Sequence, residues 1–236
     1  MKVRKWAALR LGCGRQCGRL LAASCKDRVD VGTDDVLAQP QAVDYLYEAR
    51  NPVELELQAE VPSSAVAEEL MAVPYVDVDR YLGTWYEMAS IPNWFQSYCR
   101  QGVRAQYALE VSGSVEVRNS CIDDGGIRNE LVGRALIYDA EAASRLQVAF
   151  FGIDPAEIDP NYWILYLAED YSLVVVGEPE RNFGWILSRS PAISQSRMTT
   201  AAEVLLRNGY DLNDFELTDQ SFYIEGRETT TVVSYQ

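Results

Sequence analysis

From residue 76 onward, apolar and polar positions alternate in short runs separated by turn signals. Val103, Ala105, Tyr107 and Leu109 alternate with Arg104, Gln106 and Ala108; Ser112 and Gly113 supply a tight turn; Val115, Val117 and Asn119 then alternate with Glu116, Arg118 and Ser120. A period of two with one polar face marks a half-buried strand, and two such runs about a Ser-Gly pair predict a β-hairpin. The same texture predicts strands over 84–89, 131–138, 145–151, 162–167, 173–176 and 183–188, eight in all at short, regular spacing. One helix follows. It opens near Ser194, carries Met198, Ala201, Ala202 and Leu205 on one stripe, and stops at Gly209. The pattern therefore predicts an all-β domain, an eight-stranded antiparallel up-and-down barrel with one C-terminal helix packed outside it. Closing eight meandering strands removes the exposed edges and leaves room for one small ligand. A packed β-sandwich fits the alternation equally well.

The chain before this region reads differently. Residues 1–25 are basic and end in Leu20, Leu21, Ala22, Ala23 and Ser24 before Cys25. That boundary resembles a bacterial lipoprotein signal, in which the cysteine after small residues is lipidated, and Cys25 is the candidate lipidation site. Arg10, Arg15 and Arg19 interrupt the apolar stretch and Ala22 stands where Leu is usual, so an unstructured basic leader is the alternative. Residues 26–74 hold Pro40, Pro52, Pro62 and Pro74 at near-regular intervals and no sustained apolar period. They read as an acidic tether. The expected organisation is thus a leader at 1–25, a tether at 26–74, a barrel with its helix at 75–220 and a tail at 221–236. No run approaches the ~20 apolar residues of a membrane-spanning helix.

Charge and one absence narrow the function classes. Residues 1–28 carry eight Lys or Arg against one acid, and the remainder has thirteen against thirty-four, a formal charge of −21. Phosphate binding needs a cationic face, so nucleic acid is not a partner of the body. The chain contains no histidine. A Ser-His-Asp or Cys-His centre, a His-ligated zinc and an imidazole base are all excluded. The expectation is no enzyme, no cofactor and no metal.

Three sequence blocks then decide between the architectures. The run from Val76 to Glu87 contains Gly83-x-Trp85; Ala168-Glu169-Asp170-Tyr171 precedes the seventh strand; and Phe183-Gly184-Trp185 continues through Arg189, Ser190 and Pro191 across the eighth. In order and distance these blocks resemble the lipocalin family, in particular bacterial lipocalins and apolipoprotein D, down to Leu217-Thr218-Asp219-Gln220 after the helix. The resemblance covers about residues 75–220. Gly83 permits a tight turn into the first strand and Trp85 offers a large plug for one end of the barrel, while the resemblance places Arg189 over that indole, a structural contact of about 0.5–2 kcal/mol.

The resemblance also implies binding, storage or transport of a small hydrophobic ligand such as a fatty acid or lysophospholipid, in a bacterial cell envelope. Outer-membrane lipoprotein is the expected localisation, with soluble periplasmic or cytoplasmic protein as the alternative. Taking the hairpin's apolar face as inward gives Ala105, Tyr107, Val117 and Asn119 as lining residues. Matching the other strands to the family adds Val148, Phe150, Tyr162, Leu173, Val175, Phe183 and Trp185, although a one-residue slip inverts any strand. The alternatives are a lipocalin-fold enzyme with a reactive cysteine and a ligand-free envelope scaffold. Cys99, just before the second strand, and Cys121, at the end of the third, are a candidate disulfide of the exported protein. A two-residue turn at Ser112 and Gly113 sets Cys99 opposite residue 126, so a bulge or bend has to bring the two sulfurs together.

Overall fold

The computed structural model describes residues 36–37, 70–227, 229 and 231–235. The candidate leader with Cys25, and most of the candidate tether, lie outside them. Eight strands form the barrel: β1 (Gly83–Ser90), β2 (Gln101–Leu109), β3 (Val115–Ile122), β4 (Arg128–Ile137), β5 (Arg145–Ala149), β6 (Tyr162–Leu167), β7 (Leu173–Gly177) and β8 (Gly184–Ser188). Each is antiparallel to its neighbour in sequence, and β8 returns to β1. The sandwich alternative is thereby removed.

Closure depends on β1 serving two neighbours in succession. Its first half, Gly83 to Tyr86, pairs with β2; its second half, Tyr86 to Ser90, pairs with β8 across a bulge between Glu87 and Ala89. Where β1 leaves β2, the backbone needs other partners, and the segment after the helix supplies them. Gln220, fully buried, donates from Nε2 to the carbonyls of Glu87 and Val103, each at 2.7 Å. The Thr218 and Gly102 amides close the remaining gap onto Met88 and Asp219. The block at 217–220 thus has a physical reason, since it replaces a missing strand.

A second set of contacts closes the end of the barrel nearest the one-turn helix α1 (Val78–Tyr81). Gly83 enters β1 with φ +95°, a conformation costly to any residue with a Cβ. Trp85 is wholly buried and donates from its indole to the Tyr81 carbonyl at 2.9 Å. The Arg189 guanidinium lies 3.9 Å from the Trp85 ring centroid. Its nitrogens donate to the carbonyls of Thr84 and Leu82 at 2.8 Å, Arg80 at 2.7 Å, Tyr81 at 3.0 Å and Tyr171 at 3.3 Å. The three sequence blocks therefore converge on one side chain.

Helix α2 (Gln195–Arg207) follows N-cap Ser194 and ends before Gly209, which has φ +75°. Its buried stripe, Met198, Ala201, Ala202 and Leu205, covers Met88, Leu165, Leu173, Val175 and Ile186 on the outer face of the barrel. Packing begins upstream of residue 75. Leu70 is buried in this outer core, Met71 donates to Asn208 Oδ1 at 3.0 Å, and Val73 donates to the Ile164 carbonyl at 2.7 Å. The region after 220 also belongs to the fold: α3 (Ser221–Ile224) buries Phe222, and β9 (Val232–Tyr235) pairs in parallel with Arg128 to Leu131 of β4, beyond the reach of β5.

The hairpin differs from the predicted two-residue turn. Glu110 donates to the Ser114 carbonyl, leaving a three-residue loop, Val111 to Gly113, with Gly113 at φ +88°. The register slips again between Gln101 and Arg104, where Gly102 has φ +62°. That bulge, with the chain curling back so that the Arg100 amide meets the Ile122 carbonyl, brings Cys99 and Cys121 into a disulfide with Cα atoms 5.5 Å apart. Closing a loop of this size stabilises by about 3 kcal/mol.

Arg189→Ala removes the ring contact and the donor shared by several part-buried carbonyls, so the barrel should lose about 3 kcal/mol and its Tm should fall on the order of 10 °C. Thermal melts of the two proteins check this, and an unchanged Tm would show that the contact is incidental.

Candidate ligand cavity

Residues two apart on a strand share a face, so the interior is built from one parity of each strand. It holds a cavity of about 240 Å³. Ala105 and Tyr107 reach it from β2, Val117 and Asn119 from β3, Val148 from β5, Tyr162 from β6 and Trp185 from β8, with Phe150 and Phe183 from the residues flanking β5 and β8. Gly133 has a reason to be glycine, since a Cβ there would meet the Phe150 ring at 2.4 Å.

Leu173 and Val175 are a correction. They point outward and pack under α2, while Val174 and Val176 belong to the inner core. All five residues of β7 are buried, because the interior lies on one side and the helix on the other. A strand apolar on both faces has no alternation from which parity can be read.

Several lining residues were missed. Val103 and Leu187 share parity with Ala105 and Trp185, and Glu87 with Trp85, so carrying each alternation two residues further finds them. Phe95 and Gln96, from the one-turn segment Trp94–Gln96, and Asn161 and Glu178, from connections, carry no periodic signal. Asn161 stands in for a strand partner: its amide accepts from the Val148 N–H at 2.8 Å and donates to the Val148 carbonyl at 2.9 Å.

Aromatic rings run the length of one wall. Phe95 contacts Phe183 at 6.0 Å between centroids, Phe183 stacks on Trp185 at 6.1 Å, and Trp185 on Tyr162 at 6.5 Å. Beyond Tyr162 lie Tyr107, Tyr81 and the Trp85 plug. At the other end of the wall Trp94 is 72% exposed and stacks on exposed Phe151, so the mouth is apolar at the surface.

The charged groups on the wall, Glu87, Glu178 and Arg104, are held by the protein. Glu87 accepts from Ser90 Oγ at 2.9 Å, Thr218 Oγ1 at 2.6 Å and Gln96 Nε2 at 3.1 Å. Burial nonetheless outweighs these bonds and pushes its carboxyl above the ordinary 4.5. Glu178 accepts from the amides of Glu180 at 3.0 Å and Phe183 at 3.1 Å, and from that of Asn182. Arg104 donates to Ser120 Oγ at 3.2 Å and lies over the Tyr223 ring. Cys99 and Cys121 are bonded to each other, so neither offers the thiolate that a reactive-cysteine enzyme needs.

A closed eight-stranded barrel, plugged at one end by Trp85 and Arg189 and hollow at the other, defines a small-molecule binding barrel. The chain belongs to the lipocalin family: the family model for a lipocalin-like domain matches residues 76–220. It is 33% identical to temperature-induced lipocalin-1 of Arabidopsis thaliana over 65% of this chain and 84% of that one. It is 32% identical to mouse (Mus musculus) apolipoprotein D over 61% and 77%, and 34% identical to outer membrane lipoprotein Blc of Escherichia coli K12 over 59% and 76%. Among solved structures it superposes on insecticyanin of the tobacco hornworm Manduca sexta with TM-score 0.54 at 20% identity, over 70% of this chain and 91% of that one.

The raised carboxyl of Glu87 predicts a pH dependence. The folded state holds its proton more tightly than the unfolded chain, so its contribution is fully present below 4.5 and is lost as pH rises through the raised native value. Glu87→Gln escapes that loss. The stability of the variant minus that of the parent should therefore rise with pH from 4.5 and level off above the native value. Denaturant titrations at stepped pH measure the difference, and a flat one would contradict the shift.

Proposed function

We propose that the barrel binds and carries a small lipophilic molecule and does no chemistry on it. The observation that carries this reading is the cavity, walled by Phe95, Phe183, Trp185 and Tyr162 and opening beside an apolar surface. Hydrophobic walls with a few fixed polar groups are the ordinary construction of a small-molecule site. Its size and its apolar mouth favour one chain, whose far end emerges at the surface. A fatty acid, a lysophospholipid or a similar single-chain lipid fits that shape.

For its place in the cell we propose a bacterial envelope, with lipidated Cys25 as anchor and a tether that ends where Leu70 docks on the barrel, before residue 74. The support is the basic leader with its Leu-Ala-Ala-Ser-Cys boundary, and a relative that is named an outer membrane lipoprotein. The protein from its own host should then partition into detergent, and Cys25→Ala should leave it soluble or unprocessed. Mass spectrometry that finds an intact Met1 would refute the anchor.

Lipid should quench or shift tryptophan fluorescence saturably, because Trp185 stands on the cavity wall. Trp185→Ala should weaken binding by ~1–3 kcal/mol, the worth of one large buried side chain, while the barrel still folds. Arg189→Ala should bind nearly as the parent does in whatever fraction is folded. If the delipidated parent binds no lipid, the carrier reading fails; if Trp185→Ala binds like the parent, that wall is not where the ligand lies.

A further inference from the structure

At the inner end of the cavity three buried tyrosines meet. Tyr81 and Tyr162 hydroxyls are 2.7 Å apart, and Tyr162 and Tyr107 hydroxyls 3.0 Å. These are the bonds the three hydroxyls make among the described residues. Each hydroxyl carries one proton and can accept two bonds. Three protons are thus available for two bonds, and whichever way the bonds point, one O–H is left without an acceptor. If Tyr162 accepts from both neighbours, the spare proton is its own. If it donates to Tyr107, the spare proton is on Tyr107, and if it donates to Tyr81, on Tyr81; a ligand oxygen at the cavity wall selects one of the first two arrangements. Tyr107 and Tyr162 both line the cavity; Tyr81 lies behind them.

A buried donor without an acceptor is costly, and a ligand oxygen placed there removes the cost. We infer that this tyrosine cluster is a hydrogen-bond donor subsite that seats an uncharged oxygen acceptor, such as a ketone, aldehyde or ester carbonyl, of a lipophile that enters oxygen first. The inference rests on the carrier reading and narrows its ligand class. Burial pushes the Tyr107 hydroxyl up to about 12 and those of Tyr81 and Tyr162 well above the ordinary 10, so all three remain donors at neutral pH. An anionic head group fits the lining poorly. Glu87 and Glu178 line the cavity, and the one lining cation among the described residues, Arg104, is engaged by Ser120 and Tyr223. A fatty acid would therefore enter tail first, with its carboxylate left at the mouth and no use made of the cluster.

The test is a pair of shape-matched probes, undecan-2-one and 2-methylundec-1-ene, which differ in a carbonyl oxygen against a methylene. Each affinity for the delipidated protein is divided by that probe's own hexadecane–water partition coefficient, which removes the ordinary cost of drying a carbonyl. The parent should then prefer the ketone by about tenfold or more. The double variant Tyr107→Phe/Tyr162→Phe should still bind the alkene, which shows that it folds, and its preference should fall to near one. Tyr81→Phe removes one hydroxyl and one bond, still leaves one spare proton, and should retain a preference for the ketone. If the parent binds both probes with a ratio near one, or the double variant keeps the parent's ratio, this inference falls while the carrier reading stands. If neither probe nor any lipid binds, both fall.

Discussion

The contact of Arg189 with Trp85 organises the closed end of this molecule. A barrel of short strands has to end somewhere, and at its end a large indole and the carbonyls of a helical turn would be left half-buried and unsatisfied. One guanidinium answers both needs: its face covers the ring, and its edge donates to carbonyls from Arg80, Tyr81, Leu82, Thr84 and Tyr171. A lysine could supply the charge but not a planar fork that serves several acceptors at once. The segments meeting there come from the first strand, the turn before the seventh and the end of the eighth. The barrel is therefore closed by side chain as well as by ladder.

Closure by one strand with two neighbours has a cost at the other end. As β1 passes from β2 to β8 it opens a gap in the wall, which is filled by Gln220 and by Thr218 on Glu87. A polar patch is thereby drawn into the lining, held in bonds to the protein and turned away from solvent. The cavity is consequently apolar along most of its length, with fixed carboxyls on its wall and a hydroxyl cluster at its inner end. The disulfide adds a further restraint near this gap, tying the segment that carries Phe95 and Gln96 to the end of β3.

Two cores of different character result. The inner one surrounds the cavity and contains rings and hydroxyls; the outer one, between barrel and α2, is mainly aliphatic, with Tyr210 and Phe215 as its buried rings. β7 contributes alternate residues to each. This strand explains why the inward face can be read from sequence on the hairpin and not at Leu173 and Val175: the hairpin has water on one side and so a visible parity, whereas β7 has protein on both.

The sequence by itself determined the number, order and approximate bounds of eight strands, the single helix with its Ser194 start and Gly209 stop, and the three blocks that identify the family. Each is written in local chemistry, as a period of two, a period of 3.6, or glycine where φ turns positive. It also held the inward parity of the hairpin, whose other face is wet. Only the tertiary structure decided the three-residue hairpin loop and the Gly102 bulge that together join Cys99 to Cys121, the outward turn of Leu173 and Val175 on β7, the packing of α3 and the pairing of β9 with β4, and the recruitment of Phe95, Gln96, Asn161 and Glu178 to the cavity. The physical reason is common to all of these. Alternation reports which side of a strand is dry, and it is silent wherever both sides are dry or the chain is a loop whose position is fixed by the elements around it.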